Sequence, residues 1–351
     1  MIIKNNKIYN NSKAFLIAEA GLSHDGSLGI AKSLIDKAKE NGADAIKFQM
    51  HMPEFESSKL EKFRKKFSFQ DRTRFDYWKR TSFTFNEWHF LKNYSEKRKI
   101  IFMCSPFSIE SVDYLLKLKI DAWKIASGEI NNYLLLDYII KKSSKPIIIS
   151  TGLSDYSEVS KTIKYLKSKL KNKKIKNKLA ILQCTSEYPT PLSNIGHKLI
   201  YKFNKKFDLV SGLSDHSGNL NSLISAITMG AKILEFHVTF DKSFFGPDTT
   251  SSITFEELKF LSEFNKDYNQ IINSKIKNKK ISNNIKKLKK IFHKGLALRK
   301  DKKIGEKIDF KDLIALKPNI GIPVKQYSSL IGKKLKKNIK KNNFLKREFI
   351  E

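Results

Sequence analysis

The chain has 351 residues, 40% of them hydrophobic and 25 of them Phe, with a formal charge of +33. That length suits one large domain of about 250 residues and a small second one. Two cysteines, Cys104 and Cys184, exclude a disulfide scaffold, no apolar run approaches the ~20 residues that span a bilayer, and Met1 to Lys13 lacks the apolar stretch of a secretory leader, so a cytoplasmic protein with reduced thiols is expected.

The excess Lys is concentrated in two runs, Lys167 to Lys178 and Lys275 to Lys290, where it is mixed with Asn and Ile. Arg is scarce and aromatic residues are not interleaved, so solvated faces and linkers are expected, with neither nucleic acid nor membrane as partner. A polyanion-binding protein is the competing reading, with the charge as its only support.

In chain order, strands are predicted at Phe15 to Gly21, Ala45 to Gln49, Ile100 to Ser105, Ala122 to Ser127, Pro146 to Thr151, Leu179 to Thr185, Asp208 to Asp215 and Ile233 to Thr239. They are short and apolar throughout, as parallel strands covered by helices are. Helical patterns separate them. After the first strand, Ser27 is an N-cap, Ile30, Leu34 and Ala38 recur every four residues, and Asn41-Gly42 is the stop. Glu110 to Leu116 and Leu220 to Met229 are similar. Such β-then-α units predict an α/β fold, a (β/α)8 TIM barrel; a doubly wound open sheet competes, but no Gly-rich dinucleotide loop follows any strand.

Phe55 to Trp88 is too long for a simple connection and is expected to form an insertion over the barrel mouth. The predicted layout is a barrel domain at 1–274, a Lys/Asn-rich helical linker at 275–292, and a mostly-β domain at 293–351.

Strand ends of such a barrel face the active site. Here they carry Glu19, Lys47, Gln49, Ser105, Lys124, Ser127, Glu129, Gln183, Tyr188, Ser214, His216 and His237. Lys47 and Lys124 lie inside apolar strands, where an ammonium requires an anion. The anion is either internal, Glu19 or Glu129, or a bound phosphate or carboxylate. His216 and His237 end consecutive strands, each beside a carboxylate, Asp215 and Glu235, and are read as a shared metal site for a borderline divalent ion. His24 either contacts substrate or stabilises its loop.

These stretches together resemble the sialic acid synthase family. The matching pieces are Ile17 to Gly21 with His24 to Gly26, Gly42 to Gln49, Trp123 to Glu129, Gln183 to Pro191, Gly212 to His216 and Gly246 to Asp248. The tail from Gly295 to Glu351 is similar to that family's antifreeze-like SAF domain. The resemblance implies condensation of phosphoenolpyruvate with an N-acetylated hexose, giving a nonulosonic acid, and a domain-swapped homodimer. It implies that His216 and His237 hold the metal, usually manganese, and that Lys47, Ser105, Lys124, Ser127, Ser186 and Ser214 hold phosphoenolpyruvate. Gln49, Glu129, Tyr188, Asp248 and Lys317 would face the sugar, and Glu19 would handle a proton. Two positions depart from the family: Ser186 replaces an Asn, and Lys317 before Pro318 replaces an Arg that grips the acyl carbonyl as a planar fork. A diacetamido-6-deoxyhexose acceptor, giving a legionaminic- or pseudaminic-type acid, is the alternative.

Overall fold

All eight apolar runs form parallel strands: β3 (Phe15–Gly21), β4 (Ala45–Met50), β5 (Ile101–Pro106), β6 (Trp123–Ile125), β7 (Ile147–Ser150), β8 (Leu179–Cys184), β9 (Val210–Asp215) and β10 (Ile233–Thr239). Before them comes an antiparallel hairpin of β1 (Ile2–Ile3) and β2 (Asn6–Lys7). The sheet runs in sequence order from β3 to β9, with β10 paired to both β3 and β9. The ring is therefore closed, an eight-stranded (β/α) barrel rather than an open sheet. A further strand, β11 (Ser252–Thr254), pairs parallel to the end of β10. The computed structural model describes residues 1–63, 67–170, 177–274 and 279–351. They form two compact units, Met1–Asn273 and Ser274–Glu351.

Alternation along each strand sorts side chains between two environments. Leu16, Ala18, Ile46, Phe48, Phe102, Trp123 and Ile149 face outward into the main core with the helices. Phe15, Ile17, Ala45, Ile101, Met103, Ile148 and Leu182 face inward and form an apolar floor with Met1, Ile3 and Ile8 from the hairpin. Everything inward above that floor is polar. β9 and β10 approach so closely at Gly212 that a Cβ there would lie 1.9 Å from the Ile233 carbonyl oxygen.

The first helix, Leu28–Glu40, begins as expected, with the Ser27 hydroxyl accepting from the Ile30 amide and Leu34, Ile35 and Ala38 buried. β6 ends earlier than expected because Ser127–Glu129 turns into a 3₁₀ segment, with the Glu129 amide donating to the Ala126 carbonyl.

The Phe55 to Trp88 stretch, described except for residues 64–66, contains the helix Arg74–Thr81 and leads into Phe85–Lys97. Arg80 ties it to the loop after β3, with its guanidinium on Asp71 at 2.9 Å and on Asp25 at 3.0 Å. Tyr77 and Trp78 pack on Leu22, and Phe67 and Phe69 meet Phe245 beyond β10. The insertion thus touches the loops after the first and the last barrel strands.

The Lys runs fall partly outside the described residues, at 171–176 and 275–278, and so does the start of the predicted linker. In the second unit, a helix at Asn283–Phe292 is capped by Ser282. It precedes β12 (Gly295–Leu298), antiparallel to β13 (Leu313–Leu316). Single bridges such as Lys302 to Ile339 and Leu335 to Ile350 supply the remaining pairing. Leu296, Leu298, Ile308, Leu335, Ile339 and Leu345 form the core of this unit. Among the described residues, no helix is long and apolar enough to cross a membrane.

Candidate active site

Above the apolar floor, the inward positions of β3, β4, β6 and β10 are Glu19, Lys47, Lys124 and Glu235, all buried. Lys47 is in contact with the Glu19 carboxylate and lies 4.0 Å from Glu235. Lys124 lies 3.1 Å from the other oxygen of Glu235. The Ser214 hydroxyl donates to Glu235 at 2.9 Å, and the Lys47 ammonium donates to Ser105 Oγ at 3.1 Å.

The charges hold one another in place. Burial would raise the Glu235 carboxyl, but the two ammonium groups bring it down to about 2. Burial works against the Lys47 charge and the two carboxylates overcome it, holding that ammonium above its ordinary value. Lys124, with Glu235 as its carboxylate and Lys47 as a like charge nearby, is lowered by burial. Glu19 is raised by burial, with Lys47 and Gln49 opposing.

This arrangement corrects three expectations. The internal partner of Lys124 is Glu235 and not Glu129, whose carboxylate instead accepts from Asn132 at 2.7 Å after the chain has turned away from β6. Glu235 does not orient His237, because alternation brings Glu235 and His237 to successive inward levels and the lower level holds the lysines. Asp215 points outward by the same alternation and anchors the following turn, accepting from Ser222 Oγ and from the Ser217 amide and hydroxyl.

At the next level, the rings of His216 and His237 lie 5.5 Å apart, centre to centre. His216 Nδ1 lies 2.9 Å from the Thr185 carbonyl, which only accepts, so this nitrogen carries the hydrogen. His216 Nε2 faces the Tyr188 hydroxyl at 3.0 Å, and the two rings stack at 4.0 Å. His237 is buried, and among the described residues its Nδ1 has no hydrogen-bond partner. Burial lowers the His237 imidazole to about 4. Burial opposes charge on His216 as well, but the Cys184 sulfur, the Thr185 carbonyl and Asp248 push it up to about 9.

Two imidazoles at this spacing, one with an orphaned nitrogen and the other with its tautomer set by a backbone carbonyl, fit a borderline divalent ion. Among the described residues, no cluster of three or more His, Cys, Asp or Glu is disposed for a metal, so water or substrate oxygens would complete the coordination.

Ser127, Cys184 and Ser186 gather around Gly152, in the turn after β7. The Gly152 amide donates to Ser127 Oγ at 2.9 Å. A Cβ at Gly152 would lie 2.4 Å from Ser186 Oγ and 2.9 Å from both Cys184 Sγ and Ser127 Oγ. The absent side chain leaves a small polar cradle open. Sequence reasoning missed Gly152, and it treated Cys184 as an ordinary core thiol although that residue shares the inward parity of Ala180 and Leu182.

Gln49 Nε2 donates to Glu19 at 2.9 Å, which brings Gln49 into the same group. Gln183 does not join: its amide donates to the Ile195 carbonyl at 3.0 Å and serves the loop. His24 is loop-stabilising, accepting from the Gly26 amide at 3.1 Å and stacking on Phe83 at 4.5 Å. Lys317 belongs to the second unit, where its ammonium lies over the Phe292 ring.

A closed parallel barrel whose strand ends gather two lysines, two histidines, carboxylates and hydroxyls is an enzyme scaffold. Residues 34–277 match the model of the NeuB family, and the chain belongs to that family. It is similar to an N,N'-diacetyllegionaminic acid synthase of Legionella pneumophila, 34% identical over 340 residues, 96% of this chain and 94% of the relative. It is also similar to a pseudaminic acid synthase of Campylobacter jejuni, 34% identical over 342 residues, 96% of each chain. Among solved structures, an N-acetylneuraminic acid synthetase from Leptospira borgpetersenii matches with a TM-score of 0.69 and 28% identity, covering 82% of this chain and 94% of that one. The chain is thus a NeuB-family enzyme, and the resemblance drawn from its motifs to the sialic acid synthases holds.

Proposed function

We propose that the barrel mouth condenses phosphoenolpyruvate with the open-chain aldehyde of an N-acylated hexose, giving a nonulosonic acid and inorganic phosphate. One observation carries this reading: two buried lysines converge on one carboxylate beneath two imidazoles and a Gly152 cradle. The phosphate and carboxylate of phosphoenolpyruvate would take the ammonium groups of Lys47 and Lys124, with Ser105, Ser127, Ser186 and Ser214 completing their hydrogen bonds. Gln49, Glu129, Tyr188 and Asp248 would line the sugar side.

C3 of phosphoenolpyruvate attacks the aldehyde carbon, whose oxygen gains a proton. Water adds to the cationic C2 that results, and phosphate leaves with cleavage of its bond to C2. Glu19 is raised by burial and bonded to Gln49 and Lys47, and is the residue proposed to carry the proton. Alignment of the two substrates would supply on the order of 7 kcal/mol of the acceleration. His216 and His237 would hold a divalent metal, proposed as manganese, which when bound supplies Lewis-acid polarisation of the aldehyde.

The N-acyl hexose is read as an N-acetylmannosamine-type sugar or a 2,4-diacetamido-6-deoxyhexose. The second is favoured by the two relatives named for legionaminic and pseudaminic acids, each matched over 96% of this chain. We also propose a homodimer that exchanges its small units, antifreeze-like in type, with the role of Lys317 at the acyl group belonging to that assembly. The helix Asn283–Phe292 supports an assembly, since all its residues are exposed, with Ile285, Leu288, Ile291 and Phe292 among them.

The test is phosphate release from phosphoenolpyruvate across a panel of N-acylated hexoses, with labelled oxygen bridging C2 and phosphorus. Label in the released phosphate is the expected result, and label retained in the sugar acid overturns the cleavage step. Lys124→Met should raise KM for phosphoenolpyruvate far more than KM for the sugar.

A further inference from the structure

The hydrogen-bond chain that passes through Glu19 continues outward. Beyond Gln49, whose Nε2 donates to Glu19, Gln49 Oε1 lies 3.1 Å from His51 Nε2. His51 Nδ1 lies 2.6 Å from Glu56 Oε1. An amide oxygen only accepts, so Nε2 of His51 carries a hydrogen and donates it. One proton then lies between Nδ1 and the Glu56 carboxyl. Burial raises the Glu56 carboxyl to about 8 and lowers His51, and both directions favour a carboxylic acid donating to a neutral imidazole. The ring is clamped between Phe107, stacked at 4.3 Å, and the edge of Trp78. The backbone is held too, with the His51 carbonyl accepting from Ser82 Oγ at 3.0 Å. His51 is 5% exposed, whereas Gln49 is only half-buried and reaches the open mouth.

We propose that His51 and Glu56 are positioning residues that lock the Gln49 amide in one orientation, carbonyl toward His51 and NH₂ toward Glu19, and thereby select the acceptor sugar. This rests on reading the mouth as a sugar site. With one N–H engaged by Glu19, the other is what Gln49 offers the ligand. The sugar atom it meets is therefore an oxygen, an acyl carbonyl or a hydroxyl. If the relay is cut, the imidazole is released to its other tautomer. Its Nε2 then faces the Gln49 oxygen as a second acceptor, and the amide turns its carbonyl against Glu19.

The experiment compares steady-state kinetics and crystal structures of the full chain with those of Glu56→Ala, Glu56→Gln, His51→Phe and the double variant. Glu56→Ala and His51→Phe should each raise the acceptor KM about tenfold or more, the effect of a misdirected polar contact, with KM for phosphoenolpyruvate nearly unchanged. Glu56→Gln keeps a donor for Nδ1 and should restore the acceptor KM. The double variant should be no worse than either single one, since both cut the same chain. An acceptor KM that does not move, failed rescue by Glu56→Gln, or a Glu56→Ala crystal with Gln49 still directed at Glu19 would overturn the relay. Melting curves check folding. Should Glu56→Ala not fold, His51→Phe, which keeps a ring between Trp78 and Phe107, decides in its place. Should the unaltered enzyme release no phosphate with any acceptor, the synthase reading fails, while the Gln49 orientation in the variant crystal still decides the relay.

Discussion

Glu235 lies between two ammonium groups, with Lys124 3.1 Å from one of its oxygens and Lys47 4.0 Å from the other. In the folded chain this carboxylate occupies the cations that an incoming anion is proposed to use. Breaking a buried ion pair by neutralising one partner is costly because the other charge stays buried.

Glu235→Gln should therefore lower thermal stability, by about 3 kcal/mol from the uncompensated lysines. Phosphoenolpyruvate should restore much of it, since its own anionic groups would pair with the ammonium groups that Glu235 no longer compensates. Melting curves with and without phosphoenolpyruvate check this. A larger ligand-induced shift in the variant than in the unaltered protein is the expected outcome, and an equal shift counts against the lysines as its seat.

His216→Ala and His237→Ala should each remove bound divalent metal and turnover while leaving the melting midpoint close to that of the unaltered chain. Elemental analysis of the purified variants reads the metal directly. Retained metal and activity in either variant would end the case for ligation.

Gly152→Ala places a methyl where Ser127, Cys184 and Ser186 converge, 2.4 Å from the nearest oxygen. The clash falls on side-chain ends, so the fold should survive with a cost of about 1–3 kcal/mol. Binding of phosphoenolpyruvate should weaken, and the sugar KM should be spared. Isothermal titration of the anion alone checks it.

His24 has an acid-dependence whose sign follows from burial, which depresses its pKa from 6.5 to about 3. Below pH 6.5 the unfolded chain takes up a proton at this ring and the folded chain does not, so the His24 contribution falls as pH drops from 6.5 toward 3. His24→Asn, which keeps an acceptor for the Gly26 amide, should be less stable at neutral pH yet lose less on acidification. Urea midpoints between pH 7 and pH 5 measure the difference in slope.

The barrel was legible because β-branched runs of parallel-strand length alternate with amphipathic helices, and no tertiary detail is needed to see that. The convergence of Lys47 and Lys124 was legible too, since both sit inside apolar runs that would otherwise exclude them. The identity of their carboxylate was not. Glu235 stands next but one to His237, and only closure of β10 against both β3 and β9 decides that it faces lysines and not the imidazole. Gly152 escaped notice because its contribution is a missing side chain, and the groups around it come from the segment after β6 and from the end of β8 and the loop beyond it. The His51–Glu56 pair depends on the short helix Pro53–Glu56, which brings residues five apart into hydrogen-bond distance.

The level of Glu19, Lys47, Lys124 and Glu235 pairs two lysines with two carboxyl groups, all buried. An enolpyruvyl phosphate entering that well brings several negative charges onto cations that already have carboxyl partners. Its arrival must therefore draw a proton or a cation in with it. Heat of association measured in buffers of differing ionisation enthalpy would disclose whether hydrogen ions are the companions.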